Sequence, residues 1–98
     1  MAVSNRPRPG RPAGSQSFDA RSARAFGEVV REARLQAGLS QEALASDASF
    51  ARSHFSRIER GLSQPTLHAM IKIAAALGVT ATALVERTEH RLARRSRP

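Results

Sequence analysis

The chain has 98 residues, a net charge of +8, 41% apolar residues and no cysteine. That length points to one small domain, and the lack of cysteine excludes disulfides and thiolate metal sites as braces. The positive charge points to a polyanionic partner, nucleic acid or an anionic membrane surface. Its placement is uneven: residues 1–17 carry three Arg and no acid, residues 18–87 nine basic and seven acidic side chains, and residues 88–98 four Arg and one Glu. The excess therefore sits in the ends, flanking a nearly balanced middle.

Residues 1–17, rich in Pro, Gly, Ser and Arg, cannot bury enough apolar area to offset their ordering entropy and are expected to be a disordered basic tail. They contain no apolar segment of the kind a secretory leader needs. No stretch of the chain approaches the ~20 apolar residues of a membrane span. The expectation is a soluble cytoplasmic protein with no membrane partner.

Helical periodicity begins near Phe18. Phe26, Val30, Ala33 and Ala37 recur on one face of a first helix, and Gly38 follows it as a C-terminal glycine. Ser40 is an N-cap for a second helix starting at Gln41, with Leu39 and Leu44 at hydrophobic-staple spacing. Phe50 and Phe55 repeat that spacing before a third helix from residue 52, and Val79 and Leu84 before a fifth from residue 81. Thr66 caps a fourth helix in which Leu67, Met70, Ile71, Ala74 and Leu77 share a face, closed by Gly78. The predicted fold is an all-α, compact five-helix bundle over residues 18–88, followed by a basic C-terminal tail, residues 89–98. A core this small makes every buried Leu, Ile or Phe matter.

The third helix carries the chemistry. On a wheel of ~100° per residue, Phe55 and Ile58 mark a buried side, while Ser53, Arg57 and Arg60 fall opposite with Ser56 beside them and Arg52 at the N-terminal end. Guanidinium groups can donate two hydrogen bonds to guanine, and serine can contact bases or phosphate, so this outer face suits a DNA major groove. The same face could equally be an ordinary solvated surface. Glu59 lies on the flank of the apolar stripe, where a half-buried carboxylate needs a cation. Arg34, at the end of the first helix, is the candidate partner.

Leu39–Ala45, Phe50–Gly61, Pro65-Thr66-Leu67 and Ile73–Val79 together resemble the Cro/phage-repressor (Xre-like) helix-turn-helix family over residues 24–86. The specificity lies in GLSQ, RIERG and ALGV occurring in order and at the right separations. The resemblance implies a lambda-repressor-like five-helix fold whose second and third helices form the motif. It implies that Gln41 contacts the DNA backbone and supports the recognition helix. Arg52, Ser53 and Arg57 stand at base-reading positions, Arg60 near phosphates, and Arg34–Glu59 at an interhelix ion pair. It also implies two-fold dimers on paired half-sites. Two positions depart from the family pattern: Ser49 stands where a turn glycine is usual, and Ala51 where Ser or Thr usually caps the third helix.

The expected function is a sequence-specific DNA-binding transcriptional regulator, a repressor, acting on double-stranded DNA as a homodimer at the nucleoid. The alternatives are an antitoxin that binds a partner toxin and represses its own promoter, or a non-specific nucleic-acid coating protein driven by the tails. His54, His68 and His90 are scattered and form no metal-ligand pattern. The serines have no accompanying base and acid, and no glycine-rich loop suits a nucleotide. No enzyme, metal or cofactor is expected.

Overall fold

The computed structural model describes residues 18–95, and the expected N-terminal tail lies outside the described residues. Five helices follow in order: α1 Ala20–Gln36, α2 Gln41–Asp47, α3 Arg52–Glu59, α4 Leu67–Leu77 and α5 Ala81–Arg95. No strand occurs among the described residues.

Local chemistry fixes the helix starts. The Asp19 carboxylate accepts from the Arg21 backbone N–H, Ser40 Oγ from Ala43, Thr66 Oγ1 from Ala69 and Thr80 Oγ1 from Ala83, each at 3.0 Å. Each satisfies a donor that the first turn leaves without an intrahelical partner. α3 differs: its N-cap, Ala51, has no side-chain acceptor to offer.

Four helix ends share one closing motif. In α2, the Ser49 N–H donates to the Ser46 carbonyl at 3.1 Å and the Phe50 N–H to the Ala45 carbonyl at 2.8 Å. This paired arrangement requires a left-handed residue just past the helix. After α1, α3 and α4 that residue is Gly38, Gly61 or Gly78; after α2 it is Ser49, at φ 60°.

All five helices supply the core. Phe26, Val29 and Val30 of α1, Leu44 and Ala45 of α2, Phe55 and Ile58 of α3, Ile73 and Ala74 of α4, and Leu84 of α5 form one buried cluster. Leu39, Phe50 and Met70 pack against its edge. α1 and α3 approach very closely at Gly27, where a Cβ would stand 2.5 Å from the carbonyl oxygens of Ile58 and Glu59.

Two expectations are corrected. Ala37 is the exposed C-cap of α1, not part of its buried face. α4 is turned by roughly 60° from the predicted face. Ala69, Ile73 and Ala74 are buried, while Leu67 and Ile71 are 67% and 50% exposed. Apolar side chains occupy most of the circumference of α4, so periodicity alone does not select the buried side. The segment from residue 89, a basic tail that from sequence could either extend the fifth helix or fray, is helical as far as Arg95. Its last turns are held on α1: Arg91 donates to Glu28 at 3.1 Å and to both oxygens of Glu32 at 2.6 and 2.7 Å, and Arg95 donates to Glu28. No single helix among the described residues is long and apolar enough to cross a membrane.

Candidate nucleic-acid interface

The position of α3 is set from behind by Phe55 and Ile58, both fully buried. Helical geometry then fixes what faces outward. Arg52, Ser53, Arg57 and Arg60 are exposed and Ser56 is half-buried. These five side chains and Gln41 line one shallow, open depression. The six residues named from sequence as DNA contacts are thus brought together on one surface. Two of the guanidiniums are partly anchored: Arg57 Nη2 donates to the Leu62 carbonyl at 3.2 Å, and Arg60 Nε to the Ser56 carbonyl at 3.4 Å. Exposed guanidinium groups held this way lose less freedom when they meet a ligand.

Arg34 and Glu59 meet at the inner edge of this surface. Arg34 Nε donates to Glu59 Oε2 at 2.7 Å and Nη2 to Oε1 at 3.2 Å, a bidentate pair between two buried residues. Arg34 Nη1 also donates to the Leu39 carbonyl at 2.9 Å, and Gln41 Nε2 to Glu59 Oε1 at 2.8 Å. Glu59 therefore joins the end of α1, the start of α2 and the end of α3. Its charge is neutralised internally, which keeps an acid away from the basic surface.

Sequence reasoning missed two supports. Lys72 of α4 donates to the Ser49 carbonyl at 3.3 Å and lies 4.3 Å from the centre of the Phe50 ring. His54 meets the same ring edge-on, with centroids 5.2 Å apart. This cluster braces the turn between α2 and α3 from outside, and no local spacing announces it. The clamp of Arg91 and Arg95 on Glu28 and Glu32 had a readable signal: each set is a pair four residues apart, on two different helices.

Comparison with known proteins places the fold in a family. The model of a family described as helix-turn-helix domain matches residues 25–88. The chain belongs to that family. This helix-turn-helix protein is 41% identical over 64 residues to control protein C.BamHI of Bacillus amyloliquefaciens, covering 64% of its own length and 79% of the relative's. Among solved structures it is similar to the restriction-modification controller protein C.AhdI from Aeromonas hydrophila. That match has a TM-score of 0.62 and 37% identity, and covers 63% of this chain and 94% of the other. It is also similar to the restriction-modification controller protein C.Esp1396I, with a TM-score of 0.67 and 26% identity over 79% of this chain and 97% of the other. The resemblance to Xre-like regulators read from the sequence holds, and the chain is a DNA-binding transcription regulator of that type.

Proposed function

We propose that this helix-turn-helix protein is a controller-type repressor that docks α3 in the major groove of its operator as a homodimer. The observation that supports this most is the shared surface of Gln41, Arg52, Ser53, Ser56, Arg57 and Arg60, backed by the buried Phe55 and Ile58. Arg52, Ser53 and Arg57 read base edges, while Gln41, Ser56 and Arg60 hold phosphates and set the register. Gln41 has a double task, since its amide nitrogen already supports Glu59. The likeness to control and controller proteins supports genes of a restriction–modification system as the regulated set.

The dimer surface we assign is the apolar face of α4 and α5. Leu67 and Ile71 follow one another along α4, and Leu67 shares a depression with Ala81, Val85, Glu86 and Glu89. Large apolar side chains this exposed on so small a domain gain most from a second copy.

Selection of bound duplexes from a random DNA library tests the reading. The expected result is an enriched site made of two related half-sites in two-fold arrangement. Enrichment of no sequence would contradict base readout, and a single unrepeated half-site would contradict the dimer.

A further inference from the structure

Helix α1 carries the acids Glu28 and Glu32 and the basic residues Arg21, Arg24, Arg31 and Arg34. Both acids turn toward α5, where Arg91 and Arg95 engage them. Arg34 is taken up by Glu59. Arg24 and Arg31 remain exposed, and no acid among the described residues pairs with either. Seven residues apart, they lie on one stripe of the helix, ~20° from each other.

Their position relative to α3 follows from backbone contacts. A Cβ at Gly61 would stand 2.7 Å from Arg24 Cα, so the chain leaving α3 after Arg60 is seated directly on Arg24. The Asp19 N–H donates to Gln64 Oε1 at 3.3 Å, which ties the start of α1 to the same loop. Gly27, three residues beyond Arg24, lies under the Ile58 and Glu59 carbonyls, and Arg34, three beyond Arg31, grips the Glu59 side chain. The stripe of Arg24 and Arg31 therefore runs along the solvent side of the α1–α3 contact. The acids of α1 engage α5, whereas Arg24, which also borders a depression with Leu92 and Arg95 of α5, and Arg31 are left without an acidic partner beside the end of α3.

We propose that Arg24 and Arg31 form a second phosphate-binding ridge, each neutralising one phosphate of the duplex next to the segment that α3 reads. The partner is the DNA backbone, met as charge and not as sequence, and the assignment rests on the docking of α3 proposed above. A phosphate neutralised by an arginine releases a condensed counterion, so each contact steepens the fall of log affinity with log salt by ~0.9.

The test is a salt titration of binding to the selected operator and to a scrambled duplex, using the full chain. Arg24→Gln and Arg31→Gln should each lower the slope by ~0.9, and the double variant by ~1.8. The ratio of operator to scrambled affinity should stay the same. Arg24→Lys with Arg31→Lys should restore the slope, because an ammonium is also a point charge for phosphate. Arg87→Gln, on the exposed face of α5, should leave the slope unchanged. A double glutamine variant with the wild-type slope would overturn the ridge, and so would a loss of operator preference at constant slope. If the wild-type chain prefers no sequence at all, it is the docking of α3 that fails, a result the slopes do not mimic.

Discussion

At Ser49 a serine occupies a left-handed position that glycine fills after three other helices. A Cβ there costs on the order of 1–2 kcal/mol. Two residues later, Ala51 leaves the first turn of α3 without the side-chain acceptor that caps α1, α2, α4 and α5. Both features weaken the turn that presents the recognition helix, and Lys72 counters them through the Ser49 carbonyl and the Phe50 ring. Ser49→Gly should raise unfolding free energy by about 0.5–1 kcal/mol once the greater freedom of glycine in the unfolded chain is deducted. Ala51→Ser should add about 0.5–2 kcal/mol. Urea denaturation measures both gains, and the selected DNA sequence should not change in either variant. A loss of stability in Ser49→Gly would mean that the turn is held by contacts of the serine that its backbone angle does not reveal.

Between elements, the closest approach is that of α1 and α3. Gly27→Ala would drive a methyl group against two backbone carbonyls that cannot rotate away. The helices must then part, at a cost of about 1–3 kcal/mol or more. Thermal melting should show the loss, and DNA affinity should fall with it because the Arg34–Glu59 grip lies on the same seam. The α1–α5 clamp makes a separate prediction about acid. Burial pushes the Glu28 carboxyl up, but hydrogen bonds from Arg95 and Arg91 outweigh it and hold the group below its ordinary value. A carboxyl depressed in the folded state stabilises fully above its unfolded value, ~4.3, and loses that contribution as pH falls through the lower folded value. Melts between pH 3 and 6 should therefore show an acid-side loss that Glu28→Gln flattens; an unchanged profile in that variant would remove Glu28 from the clamp's energetics.

These elements also show what a sequence can and cannot reveal. Helix starts and ends were legible because Ser40 and Thr66 at the starts, and Gly38 and Gly78 at the ends, act on neighbours a few residues away. The outward face of α3 was legible because only Phe55 and Ile58 could form its apolar side. The buried face of α4 was not, since Leu67, Ile71 and Ile73 compete on nearly equal terms. Nor was the full length of α5, because its last turns depend on carboxylates 59 to 67 residues away in the chain. Lys72, 23 residues from Ser49, escaped notice for the same reason.

For the whole molecule, the surfaces divide by chemistry. Arg52, Arg57 and Arg60 gather at α3, acids of α1 are engaged by α5, and the apolar residues Leu67, Ile71 and Val85 stay exposed. On the dimer assignment, Ile71→Glu should shift sedimentation from dimer to monomer without unfolding the domain, since that side chain is half exposed. Binding to a two-half-site operator should weaken far more than binding to an isolated half-site. A variant that still sediments as a dimer would place the interface elsewhere.

Whether the outward side chains of α3 read bases is decided by Arg57→Ala. Affinity is determined for the selected operator and for a scrambled duplex at one salt concentration. Base reading by Arg57 gives a loss of about 1–3 kcal/mol on the operator, with relaxed preference at one base position and little change on scrambled DNA. An equal loss on both duplexes would contradict it and make Arg57 a phosphate clamp.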